Sequence, residues 1–193
     1  MMHFWLFRTV IGSCALVWQG ERIVGSQLPE HDDDTARMRL AKRFPEAVDA
    51  EAADFVVPDF VLAAAAEIVA LMSGEPRDLR HLPIALDTVS AFNRRVYAVA
   101  LDIPSGQTLT YGEVAARIGE PGAARAVGVA LGQNPFAPIV PCHRVLAAGG
   151  RTGGFSAEGG VETKLRMLTI EKARTNALPS LFGDDLPLAA RPR

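Results

Sequence analysis

Residues 110–135 read TYGEVAARIGEPGAARAVGVALGQNP, and this stretch predicts two short helices joined by a tight turn. Thr110 is a favourable N-cap for a first helix over residues 111–118, because Glu113 stands three positions later and completes a capping box. A Gly-Glu-Pro-Gly turn follows, and a second helix over residues 123–131 ends before a Gly and an Asn-Pro pair. Two short helices around such a turn are typical of a helix-turn-helix, a motif that binds DNA.

The residues just after this motif carry the chemistry. Cys142 lies in the run Pro-Cys-His-Arg-Val. A lone cysteine is usually a small buried hydrophobe, but the cationic neighbours His143 and Arg144 are expected to lower the pKa of this thiol. On an extended segment adjacent side chains point to opposite faces, so a bridging water or a backbone turn is needed to couple His143 to Cys142. A carboxylate from elsewhere in the chain would then orient the imidazole.

The second helix is built largely from small residues, which are Ala123, Ala124, Ala126 and Gly128. They favour either close helix packing or a close approach to a nucleic acid backbone. Arg125 is the one long cationic residue of this helix. Asn134 stops the helix together with Pro135, and it is also placed to brace the turn that presents Cys142.

Composition and charge limit the classes of protein to which this chain can belong. The chain has 193 residues, 49% of them hydrophobic, a formal net charge of -2 and two cysteines. This predicts a globular protein of one or two domains in a reducing compartment, by default the cytoplasm, without a leader or a membrane span. The acidic residues are concentrated before residue 92 and the basic residues after it. This asymmetry arises either by chance or because only the second half meets a polyanion.

The flanking sequence predicts a strand-rich start and a helical remainder. Three strands form an antiparallel meander, followed by a helix capped by Asp34, and residues 79–86 form a strand or an extended connector. A glycine-rich loop over residues 149–160 precedes the last helix, and the tail from residue 175 has little pattern. The predicted strands are 3–9, 13–18 and 22–27, and the further helices are 35–44, 60–72, 91–101 and 162–174.

Several of these features together resemble one family, the O6-alkylguanine-DNA alkyltransferases (methylated-DNA–protein-cysteine methyltransferases). The resemblance is dense from Phe92 to Glu171 and loose before Ser90, although residues 9–27 resemble the strand-rich start of the same family. The motifs that carry it are Ile103-Pro104-x-Gly106, Thr110-Tyr111-Gly112, Arg125-Ala126-Val127-Gly128, Asn134-Pro135 and Pro141-Cys142-His143-Arg144-Val145.

The resemblance implies a single-use repair reaction. Cys142 matches the cysteine that accepts the alkyl group from O6 of guanine, or from O4 of thymine. His143 matches the histidine that takes the thiol proton through a water, and Glu171 matches the glutamate that orients this histidine. Tyr111 matches the proton donor to the departing guanine, and Asn134 the hinge asparagine beside the active-site turn. The thioether product cannot be hydrolysed, so each molecule would act once.

The resemblance also implies how damaged DNA is held. Arg125 matches the arginine that fills the gap left when the target base is flipped out of the duplex. Val145 and Ser156 would contact the flipped base, largely through their backbones. The other expected DNA or substrate contacts are Thr110, Ala123, Ala124, Ala126, Gly128, Arg144 and Phe155.

By analogy, an α+β fold is expected. Residues 1–87 would form a small α/β domain with a three-stranded antiparallel sheet, similar to ribonuclease H. Residues 88–174 would form a mainly helical, winged-helix-like domain that binds DNA and accepts the alkyl group, and residues 175–193 a tail. The expected partner is double-stranded DNA that contains O6-alkylguanine, bound by a monomer without a membrane, cofactor or metal.

The chain departs from the family pattern in one loop. Phe155 stands where many members have tyrosine, and Ala157-Glu158 is an additional pair that lengthens the loop. Either change could alter which alkyl groups fit beside Cys142.

Three other classes compete with this interpretation. A cysteine hydrolase would also use Cys, His and an acid, but it would leave the helix-turn-helix unexplained. A transcription regulator would explain that motif but not the run around Cys142. A damage-sensing relative binds alkylated DNA without repairing it, and such relatives lack the cysteine that is present here.

Overall fold

The computed structural model describes residues 1–173 and has a mixed α/β fold. Its strands are β1 (Met2–Thr9), β2 (Gly12–Gln19), β3 (Arg22–Gln27), β4 (Ala47–Asp49), β5 (Leu109–Thr110) and β6 (Val145–Leu146). Its helices are α1 (Asp33–Arg43), α2 (Asp59–Met72), α3 (Ala91–Leu101), α4 (Tyr111–Arg117), α5 (Ala124–Gly132) and α6 (Val161–Ile170). Within the described range, no helix combines the length and the apolar character that crossing a membrane requires.

The N-terminal sheet has four strands in the order β3-β2-β1-β4. The predicted meander of β1, β2 and β3 is antiparallel, but the expectation of a three-stranded antiparallel sheet is wrong, because β4 adds a parallel edge to β1. The pairing runs from Met2 opposite Ala47 to Phe4 opposite Asp49. Three residues are too few to show the alternating pattern by which a strand is recognised, so the sequence does not reveal β4.

β2 is the centre of this sheet and is buried on both faces. Cys14, Leu16 and Trp18 pack into the main apolar core, whereas Ala15 and Val17 join a smaller cluster with Leu40 of α1. This alternation follows from the two-residue period of a strand. The sheet is therefore covered on one side by α1 and on the other by the core that also contains α2 and the helices of the second half.

Of the two alternatives predicted for residues 79–86, the connector is confirmed, with one isolated bridge between Ile84 and Ile23. Two helix ends differ from the prediction. Asp32, not Asp34, caps α1, since its side chain accepts a hydrogen bond from the backbone N–H of Thr35. The last helix ends at Ile170 with Glu171 as its C-cap, and its predicted end at residue 174 lies outside the described residues.

α4 and α5 form the predicted pair of helices, and a small sheet connects them to the cysteine. The capping box of Thr110 and Glu113 is present at the start of α4. Immediately before α4, β5 pairs in parallel with β6, so that Thr110 lies opposite Leu146. The first residue of α4, Tyr111, is thereby held at a fixed register to the segment that follows Cys142.

Ser26 of β3 connects the N-terminal sheet to the segment that leads to the cysteine. Its backbone N–H donates to the carbonyl of Pro135 over 2.7 Å, and its hydroxyl donates to the carbonyl of Ala137, also over 2.7 Å. Ser26 is buried, so neither bond is exchanged freely with water. The two halves of the described chain also share one continuous apolar core.

The Ser26→Ala variant should be less stable than the wild type. It leaves the partly buried carbonyl of Ala137 without its donor, which costs about 1–2 kcal/mol of unfolding free energy. Urea denaturation measures this difference. Ser73→Ala is the matched control, because the exposed Ser73 hydroxyl bonds only within its own helix end. Equal losses in the two variants would contradict the importance assigned to the Ser26 contact.

Candidate active site

An apolar cavity of about 790 Å³ opens beside Cys142 at the helix-turn-helix. It brings together many of the residues that the sequence singles out, namely Thr110, Tyr111, Ala124, Arg125, Gly128, Cys142, Phe155 and Ser156. Its lining does not include His143, Arg144, Val145, Asn134 or Glu171, which lie behind the cysteine, nor Ala123 and Ala126 of the second helix. The predicted residues therefore divide into a cavity wall and a supporting layer.

Cys142 begins a single helical turn, Cys142–Arg144, and does not lie on an extended segment. The backbone N–H of Arg144 donates to the carbonyl of Pro141, which closes the turn. Asn134 braces this turn from the end of α5, because its Nδ2 donates to the carbonyl of Val140 over 2.8 Å. The same side chain accepts from the backbone N–H of Phe136 through Oδ1 over 2.9 Å.

The expectation that His143 and Arg144 lower the pKa of the Cys142 thiol is wrong. Burial raises this pKa above its ordinary value, since a thiolate loses its hydration. Hydrogen bonding from Asn134 and the positive charge of Lys164 oppose the rise without overcoming it. The guanidinium of Arg144 is paired with Glu171 instead. The resting cysteine is therefore a thiol held close to groups that favour its anion.

His143 and Glu171 form a buried pair behind the cysteine. Nε2 of His143 lies 2.9 Å from Oε1 of Glu171, with side chains 0% and 2% exposed. Burial lowers the pKa of His143, and the carboxylate only partly opposes this, so the imidazole is neutral near pH 7. Nδ1 of His143 is buried and has no hydrogen-bond partner within residues 1–173. The arrangement leaves this nitrogen as the one that can accept a proton.

Arg144 is a structural partner of Glu171 and does not reach the cavity. Its Nε and Nη2 donate to the two carboxylate oxygens over 2.9 and 2.8 Å, and its Nη1 donates to the carbonyl of Ile103 over 2.6 Å. Burial alone would raise the pKa of Glu171, but His143 and Arg144 outweigh it and lower this pKa to about 2. Glu171 is therefore ionised throughout the neutral range.

Lys164 of α6 is a buried cation beside the cavity. Its Nζ donates to the carbonyl of Val145 over 2.6 Å and lies 5.7 Å from the centre of the Tyr111 ring. Burial lowers the pKa of Lys164 to about 8, although the electrostatic effect of Cys142 favours its charged form. Val145 is fully buried, and its backbone carbonyl is already engaged by this lysine.

Tyr111 and the glycine-rich loop form the wall opposite Cys142. Burial, followed by the electrostatic effect of Cys142, raises the pKa of the Tyr111 phenol, so the hydroxyl keeps its proton near pH 7. The hydroxyl lies 3.5 Å from the carbonyl of Gly154. Gly153 has a φ of +67°, and a Cβ there would approach the Tyr111 ring to 3.0 Å. Only glycine fits this close contact without strain.

The outer face of α5 is exposed. Arg125 and Ala126 both face solvent, and Arg125 also borders the cavity. Within the part of the chain that the structure describes, Arg125 forms no ion pair. Ala123 is the N-cap of α5. A free guanidinium next to a surface of small side chains can approach a phosphate backbone closely.

The second cysteine of the chain, Cys14, lies in the core and not at the cavity. Cys14 is 1% exposed, and burial raises its pKa to about 12. Such a thiol stays protonated and packs as a hydrophobe. Residues 1–173 contain no group of three or more His, Cys, Asp or Glu side chains arranged to hold a metal ion.

Comparison with known sequences locates the family. Residues 91–173 match the model of the DNA-binding domain of 6-O-methylguanine DNA methyltransferase. The methylated-DNA–protein-cysteine methyltransferase of Mycobacterium tuberculosis (strain ATCC 25618 / H37Rv) is 52% identical over 91 residues, which are 47% of this chain and 54% of that protein. The protein of the same name from Mycobacterium leprae is 43% identical over 120 residues, 62% of this chain and 70% of the relative. The chain belongs to the methylated-DNA–protein-cysteine methyltransferase family.

Solved methyltransferase structures extend the similarity to the N-terminal half. A crystal structure of an O6-methylguanine methyltransferase from Mycobacterium tuberculosis superposes with a TM-score of 0.69 at 33% identity and covers 94% of this chain and 99% of its own. An OGT of the same organism in complex with DNA gives a TM-score of 0.68 at 32% identity, covering 88% and 92%. Of the α+β fold expected from the sequence, the coarse statement is confirmed, namely that helices are combined with a small sheet as in these structures.

The sequence did not reveal the burial of Lys164 or the pairing of Arg144 with Glu171. A lysine in an amphipathic helix is normally assigned to the solvated face, and Lys164 is fully buried instead. One signal was present, because Lys164 follows Val161 by three positions and precedes Leu168 by four, which places it on the apolar face of α6. For Arg144 no signal exists in the sequence, since its partner Glu171 is 27 residues away.

The Glu171→Gln variant should be less stable than the wild type by about 3 kcal/mol near pH 7, because it leaves the Arg144 guanidinium buried without a charge partner. The pKa of Glu171 in the folded protein lies below its ordinary value, so the stabilisation is complete above about pH 4.5 and is lost as the pH falls towards 2. The stability difference between wild type and variant should therefore shrink over that interval. Urea unfolding at a series of pH values measures it.

Glu162→Gln is the control for this prediction. Glu162 is exposed in the first turn of the same helix, so its substitution should change stability by less than about 0.5 kcal/mol. A difference for Glu171→Gln that stays constant from pH 7 to pH 2 would contradict the assigned charge pair.

Proposed function

We propose that this chain repairs DNA by transferring a methyl or small alkyl group from O6 of guanine, or O4 of thymine, to its own Cys142, once per molecule. One observation carries the proposal. Cys142 lies at the floor of an apolar cavity that opens beside the helix-turn-helix, with the His143–Glu171 pair directly behind it. A thiol in this position meets a base only if the base leaves the duplex and enters the cavity.

The supporting layer would supply the nucleophile. The neutral His143 accepts the thiol proton at Nδ1 through a bridging water, and the resulting imidazolium is stabilised by Glu171, which is already ionised. Cys142 Sγ then attacks the alkyl carbon, the S–C bond forms, and the C–O6 bond breaks with its electron pair on the guanine. The turn braced by Asn134 keeps Sγ pointed at the cavity. The product is a thioether that water does not cleave.

Tyr111 would assist the leaving group. A guanine anion is a poor leaving group, so a proton delivered as the C–O6 bond breaks lowers the barrier. The phenol keeps its proton at neutral pH because burial raises its pKa. Ser156, Phe155 and Thr110 line the cavity and would contact the flipped base there. Val145 does not line it, and its backbone N–H and carbonyl are already bonded to Cys142 and Lys164.

The exposed face of α5 would bind the duplex. Ala123, Ala124, Ala126 and Gly128 present little bulk, so the helix can lie close to the phosphate backbone, and Arg125 would fill the space that the flipped base leaves. The positive balance of residues 92–174 supports contact with a polyanion on this half. The partner would be double-stranded DNA that contains O6-alkylguanine.

The finer organisation is also proposed. Residues 1–87 would be an N-terminal domain similar to ribonuclease H and residues 88–174 a winged-helix-like domain, whereas the predicted tail over residues 175–193 lies outside the described residues. The protein would work as a monomer in the cytoplasm. Support comes from the separate sheet in the first half and from the helix-turn-helix with its site in the second.

Incubation with a duplex that carries one O6-methylguanine should raise the intact mass of the protein by one methylene. Peptide mapping should place the gain on Cys142, since the thiol of Cys14 is buried and protonated. Cys142→Ala should show no gain, and Cys14→Ala should react like the wild type. An unmodified wild-type protein after incubation with excess lesion would refute the proposed function.

Lys164→Met should slow methyl transfer about tenfold near pH 7, because it removes the charge that favours the Cys142 thiolate. The pH profile of the single-turnover rate should shift to higher pH. Lys164→Arg keeps the positive charge, so its single-turnover rate should depend on pH as in the wild type. A profile that does not move in Lys164→Met would show that the lysine acts only as a packing residue.

A further inference from the structure

Cys142 also borders a second cavity, of about 170 Å³, on the side of the N-terminal sheet. Its far wall is formed by residues of β3, α1 and the segment between them, including Ser26, Gln27, Glu30, Arg39 and Arg43. Phe155 and Ser156 border both cavities. A water molecule occupies about 30 Å³, so this space holds several atoms beyond a methyl group.

The wall of the second cavity holds two guanidinium groups, and one of them has no ion-pair partner among residues 1–173. Arg39 pairs with Glu30 over 2.8 Å, which neutralises one of the two guanidinium groups. Arg43 forms no ion pair with any residue from 1 to 173, and its Nη1 donates only to the carbonyl of Ser26 over 3.3 Å. Desolvation and the nearby charge of Arg39 lower the pKa of Arg43, but a guanidinium stays charged in proteins.

The geometry of in-line nucleophilic displacement fixes the direction in which a longer alkyl chain extends from the transferred carbon. In an in-line attack, the sulfur, the transferred carbon and the guanine oxygen lie on one axis. The other substituents of that carbon therefore lie in the plane across this axis. With the base in the larger cavity and Sγ at its floor, a substituent longer than methyl extends into the space beside the cysteine. The second cavity is such a space, and Arg43 lies in its wall.

We propose, on the basis of the proposed function, that Arg43 is the residue by which this chain favours an O6-alkyl group that ends in a carboxylate over a neutral group of the same size, because its guanidinium binds the carboxylate. In the reaction of O6-carboxymethylguanine, the S–CH2 bond forms and the CH2–O6 bond breaks. The electron pair goes to the guanine, which is protonated, and Cys142 becomes S-carboxymethylcysteine. Gln27 also borders the cavity, and its amide can bind a neutral polar group of the alkyl chain. The contribution that Arg43 adds is therefore the attraction of its positive charge for a carboxylate.

The test compares single-turnover rates on duplexes that carry O6-carboxymethylguanine or its uncharged amide analogue, O6-carbamoylmethylguanine. The two groups have nearly the same size and differ in charge. In Arg43→Met the ratio of the carboxymethyl rate to the carbamoylmethyl rate should fall about tenfold, the size typical of a hydrogen bond to a charged group. Circular dichroism and urea unfolding check that the variant is folded.

Lys42→Met is the matched control. Lys42 is exposed, precedes Arg43 on α1 and does not border the cavity, so its loss changes net charge alone and should leave the ratio unchanged. An unchanged ratio in Arg43→Met, or an equal fall in Lys42→Met, would overturn the inference while O6-methylguanine is still repaired. If the wild type transfers no methyl group, both the proposed function and this inference are wrong.

Discussion

The buried carboxylate of Glu171 is the interaction on which the site depends. It is bound by His143 and by Nε and Nη2 of Arg144, and both residues come from the turn that begins at Cys142. The chain between these partners contains β6, the glycine-rich loop and α6. One ion cluster therefore closes the loop that forms a wall of the cavity, fixes the imidazole behind the cysteine, and connects both to Ile103 through Arg144.

Much of the fold follows from local patterns. The meander, α3, the capping box of α4 and the paired helices are indicated by the spacing of apolar residues, by helix caps and by glycine turns. Each of these signals extends over only a few residues. The cavity wall was also anticipated, because the residues of two adjacent short helices and of the next loop necessarily lie near one another. Such features depend on neighbours in the sequence, and a sequence displays those neighbours directly.

The features that the sequence did not reveal depend on contacts between residues that are far apart in the chain. β4 exists because β1 offers it an edge, and three residues carry no pattern of their own. The role of Arg144 depends on a glutamate 27 positions later, and the burial of Lys164 depends on the carbonyl of Val145. The pKa of Cys142 depends on how deeply the fold encloses the thiol, so the cationic residues beside it in the sequence were a poor guide.

The continuous core has a consequence for modularity. Phe7, Trp18 and Ile23 of the sheet belong to the same apolar cluster as Tyr97, Phe136 and Ile139. Replacing one half of the chain with the corresponding half of a relative would therefore also require changes in the apolar residues of the other half that pack against it. Residues of β3 and residues 135–140 meet in one core and share the hydrogen bonds of Ser26, so a change of side-chain volume in one stretch alters the packing of the other.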